Sequence, residues 1–461
     1  MIRLHLTANW RCCLLAVLVI AGPGRASAQD PKTLDEIPSL KAVKERTSQI
    51  KARVETELPS LEQLYMHLHA HPELSYKEEQ TSARLARELR DLGFEVTAKV
   101  GGHGIVSVLR NGDGPTVMIR TDMDGLPVVE KTGLPYASNV RTRDKDGKEV
   151  GVMHACGHDM HMTCWVGTAR VLTGLKKQWK GTLIFIGQPA EEVGAGARMM
   201  LEDGLFKRFP RPDYCLGLHC NALLPHGHVS YSEGLLLANV DSVDITVRGR
   251  GGHGSAPHQT IDPIVIGARI VLDLQTLVSR ENNPFDPVVV TVGAFHGGTV
   301  HNIIPSEAKL QLTVRTLKDD VRARVLQGID RIAKAAAQAA KAPEPIVKLR
   351  DESYTPALTN TAPLARKTAR LFREALGEAN VHEQGPVLGG EDFSRYGLAG
   401  VPIFFYFLGT VPPERIAEAK KGGEPLPGLH SDLYYPTPAP TIRTGVLSMS
   451  LAALNLLGQE P

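Results

Sequence analysis

Apolar positions along the chain follow two alternating periods. The stretches 59–71 and 78–92 carry apolar residues at helical spacing, the second ending at Gly93. Short β-rich runs follow at 104–109 and 116–120, then a helix from about 160 to 175, then strands at 182–187 and 214–219. Helices and strands in alternation predict an α/β sheet with helices packed on its faces.

Residues 240–352 have a different rhythm. A strand from Asp241 to Val247 leads through a Gly-rich loop to a helix from Pro263 to Leu277. Strands at 287–295 and 308–316, a helix from Asp319 to Lys341 and a strand at 345–350 complete the segment. That order, β-α-β-β-α-β, is the split βαβ arrangement of a ferredoxin-like module. Ile264, Ile266, Ala268, Ile270, Val271 and Leu274 give the first helix its apolar period, and Val325, Ile329 and Ile332 the second. After residue 353 the alternation resumes, with a helix near 360–376, the strand VPIFFYFLG at 401–409 and a last helix at 439–457. The pattern predicts a small domain, 240–352, inserted between two parts of a larger one, 59–239 and 353–461. Residues 29–58 are polar and charged at helical spacing and predict a leader helix.

The N-terminus changes this picture. Arg3 and Arg11 precede the apolar run LLAVLVIAG (Leu14 to Gly22), and Ala26-Ser27-Ala28 forms a small-residue cleavage site. This is the pattern of a signal peptide over residues 1–28, cut near Ala28. The run is about half the length needed to span a bilayer, so a periplasmic or secreted protein is expected rather than an anchored one. Of the 52 basic residues the leader removes Arg3, Arg11 and Arg25, and no acids, leaving 49 against 50 acidic. Neither a basic run nor a polybasic patch points to nucleic acid or membrane. A small-molecule substrate is the expectation. Four cysteines survive processing: Cys156, Cys164, Cys215 and Cys220. Cys156 lies inside a histidine cluster and reads as a ligand, and Cys215 and Cys220 are read as unpaired.

That cluster is MHACGHDMH, Met153 to His161, just before a helix. Thiolate, imidazole and carboxylate are the ligand set of zinc and its first-row neighbours. His154 and His161 are read as orienting neighbours rather than ligands. A second signal is QPAEE, Gln188 to Glu192, after the strand TLIFIG. Adjacent residues at a strand end point in different directions, so one carboxylate can bind metal while the other faces substrate and water. His219 in CLGLHC and His430 in GLHSD end apolar or Gly-bounded segments. Asp124 follows the strand TVMIR, where active-site groups of α/β sheets gather. Glu391 and Asp392 follow two glycines in GGEDF.

The ordered set RTDMDGLP, HACGHDMH, QPAEE, GLH, GRGGHGSAPH, NIIP, GGEDF and GLHSD, spread over roughly 59–455, resembles the metallo-amidohydrolase family of aminoacylases and carboxypeptidases, in the branch of hippurate hydrolase and indole-acetyl-amino-acid hydrolases. The resemblance implies a mixed-sheet metallopeptidase-like catalytic domain interrupted by a ferredoxin-like lid. It implies metal ligands at Cys156, His158, Glu192, His219 and His430, a general base at Glu191, and substrate contacts at His253, Asn302 and Arg315. Five ligands suit two divalent ions, Zn²⁺ or Mn²⁺, if one bridges, and the thiolate of Cys156 can bridge. Asp124 is expected to orient a ligand, and His253 to stabilise the developing oxyanion, across a lid-mediated homodimer in one version. The implied activity is amide hydrolysis of small N-acyl amino acids. Peptidase action on dipeptides or C-termini stays open, as does a non-catalytic solute- or metal-binding role, against which the intact Glu191 counts.

Overall fold

The computed structural model describes residues 39–458, so the expected signal peptide and the start of the leader helix lie outside the described residues. The expected break at Pro59 is corrected. One helix runs from Leu40 to Ala70 with Pro59 inside it. Proline in a helix interior costs about 3 kcal/mol. Against that, Ile50, Val54, Leu58, Leu61, Tyr65 and Leu68 form one continuous buried stripe, packed on the helices His158–Gly174 and Pro438–Leu457. Each such side chain contributes about 1.5–3 kcal/mol, so the stripe outweighs the lost hydrogen bond.

The central sheet has eight strands. Across it they run Glu95–Ala98, Ile105–Asn111, Gly181–Gln188, Thr116–Asp122, Tyr214–Pro225, Ile403–Val411, Val229–Tyr231 and Val381–Glu383. Thr116–Asp122 is parallel to both Gly181–Gln188 and Tyr214–Pro225, and Ile403–Val411 is parallel to Tyr214–Pro225. The outer pairings include antiparallel ones, so the sheet is mixed. Ile403–Val411 is buried at every position, as a parallel strand covered on both faces should be. One apolar cluster joins the sheet to the helices at 40–70, 79–91, 158–174, 362–376 and 438–457, and a second fills the other face. The four central parallel strands deliver their C-terminal ends to one edge, where α/β sheets place their ligands.

Between 239 and 349 a separate four-stranded antiparallel sheet runs in the order Val288–Gly297, Glu307–Thr316, Asn239–Arg248, Ile346–Leu349. The strand Asn239–Arg248 alternates buried and half-buried residues along nearly its whole length, the period of a sheet covered on one face. Helices Pro263–Thr276 and Asp319–Ala339 pack on this sheet, enclosing a core of their own.

Candidate functional site

Four separate segments converge at the parallel-strand edge. Gly157, at φ +82°, precedes the helix His158–Gly174, and a Cβ there would come within 3.1 Å of the Cys220 side chain. This left-handed turn sets Cys156 and His158 beside each other. Glu191 and Glu192 lie in the turn after Gly181–Gln188, and His219 sits within Tyr214–Pro225. His430 comes from the loop before the last helix, its N–H donating to the Ala155 carbonyl at 2.8 Å. Cys156 Sγ is 3.3 Å from His219 Nε2 and 3.2 Å from His430 Nε2. Glu192 lies 3.7 Å from His158 Nε2 and 3.6 Å from His430 Nε2.

The donor set fits divalent cations. His158 donates from Nδ1 to the Asp124 carbonyl at 2.8 Å, and His219 from Nδ1 to the Cys220 carbonyl at 2.7 Å. Both therefore present a bare Nε2 to the centre. His158 Nε2 and Glu192 Oε1 are buried with no hydrogen-bond partner, a cost that folded proteins rarely leave uncompensated. Of five groups of three potential ligands among the described residues, two, Cys156/His158/His219 and Cys156/Glu192/His430, share the thiol of Cys156. Burial and the carboxylates of Glu192 and Glu191 push that thiol far up. His161 is differently occupied. Its Nε2 accepts the Cys220 N–H at 2.7 Å, so Nδ1 donates to Asp122, also at 2.7 Å. Both ring nitrogens of buried His154 lack partners, and burial holds its pKa down at about 4.

Asp124 supports two neighbours at once. Its carbonyl orients His158, while its carboxylate accepts the N–H of Glu191 at 3.1 Å, of Glu192 at 3.0 Å and the Ser75 hydroxyl at 2.6 Å. Glu191 is raised well above the ordinary carboxyl range, by burial first and then by Glu391 and Glu192. Behind it lies a fully buried Arg120, missed in the sequence. It reaches Asp122 at 2.7 Å, Glu391 at 2.9 Å and Gln188 at 3.0 Å. Gln188 in turn donates to Asp392 at 2.6 Å. Glu391 and Asp392 thus serve a buried charge network joining the two halves of the larger domain. An arginine ending the apolar strand TVMIR was the available signal.

A cavity of about 370 Å³ opens over this centre. Cys156, Glu191, Glu192, His219 and His430 line one end, and Leu237, Val240, Val387, Phe407 and Leu429 supply apolar wall. Arg315 is the only guanidinium or ammonium group among the described residues lining it, half-buried and donating to the Leu388 carbonyl at 2.7 Å. His253 and Asn302 are exposed and are not part of this lining. Their loops are tied together by the Gly254 N–H donating to the Asn302 carbonyl at 2.8 Å, and His253 Nδ1 accepts from Ser255. All four cysteines among the described residues are free thiols.

Residues 118–421 match the family described as peptidase family M20/M25/M40. Over 352 residues the chain is 38% identical to thermostable carboxypeptidase 1 of Saccharolobus solfataricus, covering 76% of this chain and 85% of that one. Over 334 residues it is 36% identical to hippurate hydrolase of Campylobacter jejuni, covering 72% and 83%. The fold matches the crystal structure of a dinuclear metal-binding M20 peptidase of Bacillus subtilis with a TM-score of 0.67 at 30% identity, covering 87% of this chain and 99% of that one. The motif order, the mixed sheet and the converging ligand triads agree with these matches: the chain belongs to peptidase family M20/M25/M40 and is a metal-dependent amidohydrolase.

Proposed function

We propose that this enzyme is exported, loses its leader near Ala28 and hydrolyses the amide bond of N-acyl amino acids, hippurate-like or N-acetylated. The observation that carries the reading is the cavity. Its lining combines a candidate metal centre, a single guanidinium and apolar side chains. An acylated amino acid offers matching parts: an amide carbonyl, a free carboxylate and an apolar group. Arg315 receives the carboxylate, a role for which a guanidinium is suited.

Cys156, His158, Glu192, His219 and His430 would hold two divalent ions, Zn²⁺ or Mn²⁺. When bound, such ions polarise the scissile carbonyl and acidify the attacking water. Glu191 takes the proton of that water and returns it to the departing amine nitrogen. Asp124 keeps Glu191, Glu192 and His158 in register. The ferredoxin-like module at 240–352 acts as a lid. The exposure of His253 and Asn302 supports their delivery to a cavity by lid closure, or to the cavity of a second copy in a homodimer, where His253 donates to the developing oxyanion.

Purified enzyme loaded with Mn²⁺ or Zn²⁺ should release free amino acid from N-benzoyl- and N-acetyl-amino acids. Cleavage of dipeptides alone would select the peptidase reading, and absence of any amide cleavage would leave a binding protein.

A further inference from the structure

Glu78 stands just ahead of the helix Glu79–Asp91, where a side chain ordinarily turns back to cap the first N–H groups. It makes no such bond. The carboxylate of Glu73 does so instead, accepting from Gln80 and Thr81 at 3.1 and 2.8 Å. The Glu78 side chain runs inward, is fully buried, and accepts the Ala190 N–H on Oε1 at 2.7 Å. Its Oε2 is buried without a partner. Burying an acid this way is unfavourable, and helix capping does not account for it.

Ala190 has a left-handed backbone, φ +52°, and immediately precedes the two glutamates of the site. Glycine adopts that conformation freely; alanine does not. The next two N–H groups, of Glu191 and Glu192, end on the two oxygens of Asp124. Three consecutive amides of one turn are thus held by two carboxyl groups from remote segments.

We infer that Glu78 is a positioning residue whose carboxyl clamps Ala190 in its left-handed conformation, so that Glu191 and Glu192 face different duties. The inference rests on the proposed roles of those two glutamates. The clamp needs an acceptor oxygen and no charge. Burial, and then the neighbouring Asp124, holds the Glu78 carboxyl up at about 8, leaving it mostly neutral at pH 7.

The test uses the full chain with hippurate as probe and amide hydrogen exchange over 190–192 as a second readout. Glu78→Ala should lower kcat about ten- to a hundred-fold, the scale of a small misplacement of reacting groups, with KM nearly unchanged. It should also speed exchange at 190–192 in metal-loaded and metal-free protein alike. Glu78→Gln keeps an acceptor oxygen and should hold both kcat and exchange close to wild type. Adding Ala190→Gly to Glu78→Ala removes the conformational cost and should recover most of the lost kcat. A Gln variant as impaired as the Ala variant, unchanged exchange in Glu78→Ala, or no recovery in the double variant would each overturn the clamp. If Glu78→Ala does not fold, the Gln and double variants still decide. A wild type inactive on every amide would refute the proposed function, while the exchange data would still judge the clamp.

Discussion

Between residues 239 and 349 the buried positions belong to Val243, Ile245, Val247, Ile270, Leu310, Val314 and Ile329. Charge there is held in bidentate pairs, Arg322 on the buried carboxylate of Asp241 and, partly exposed on both sides, Arg350 on Asp244. Around the cavity Arg120, Asp122, Asp124, His158, Glu391 and Asp392 are as buried as those valines and leucines. The module's core is therefore held mainly by apolar burial. The catalytic region is stable only with its buried charges kept as a set, since removing one partner strands the others. The ligand end adds a bias of its own, because Cys156, Glu191 and Glu192 crowd together and a cation relieves their mutual repulsion.

Metal removal should give the largest effect and separate the two regions. Dialysis against a chelator should abolish amidase activity, and Zn²⁺ or Mn²⁺ should restore it. Hydrogen exchange should rise around 153–161 and 188–196 while 239–349 stays as protected as before. Full activity in protein shown metal-free by elemental analysis would break the comparison at its root. Next in size is the pair at 191–192. Glu191→Gln should keep its metal and lose roughly two or more orders of magnitude in kcat, the scale of general acid–base catalysis. Glu192→Gln should lose metal. The opposite assignment would show the roles exchanged.

His253→Ala tests the module's side of the contrast. The residue is exposed and lies outside the apolar core, so Tm and metal content should not change. Loss of an oxyanion donor should still cost about two orders of magnitude in kcat. Normal turnover in the folded variant would leave His253 as a turn residue.

What was legible in the sequence follows the same division. In the module the four strands of the sheet and the two helices on it begin and end within a few residues of the sequence reading, because alternation and helical period there report burial on one face; the short pair Gly252–His253 and Ile303–Ile304 left no such signal. In the larger domain the candidate ligand types stood out by chemistry and close spacing, as in Cys156 and His158. Residues acting through remote partners left no such trace. Arg120 meets Glu391 across 271 positions and Glu78 meets Ala190 across 112. The segment HLHAHPELSYKEE, which supplies His69, Ser75 and Glu78, read only as the end of one helix, the start of the next and a link between them. Strands Glu95–Ala98, Val229–Tyr231 and Val381–Glu383 are too short to show a period.

The smallest predicted effect concerns His69, a buried charge with no counterpart in the module's apolar core. It lies near the end of the first long helix, with Asp159 Oδ2 2.6 Å from Nδ1 and Glu130 Oε1 3.0 Å from Nε2. Two carboxylates on two ring nitrogens call for the doubly protonated imidazolium, which donates from both. Burial alone would lower the pKa, but the hydrogen bonds to Asp159 and Glu130 overcome it and hold the ring at about 9. The unfolded value is about 6.5. A folded pKa above the unfolded one means that the stabilisation is complete below about pH 6.5 and disappears as pH rises through about 9. The clamp joins the helix Leu40–Ala70 to the segment at Glu130 and to the first turn of the helix that begins at His158. Metal-saturated enzyme should therefore lose roughly 2–4 °C of Tm between pH 7 and pH 10 through this group. His69→Gln should start lower at pH 7 and show a correspondingly flatter profile, because an amide does not titrate in this range. Parallel Tm profiles for the variant and the wild type would show that the ring is neutral in the folded protein and that its two carboxylate neighbours are stabilised some other way.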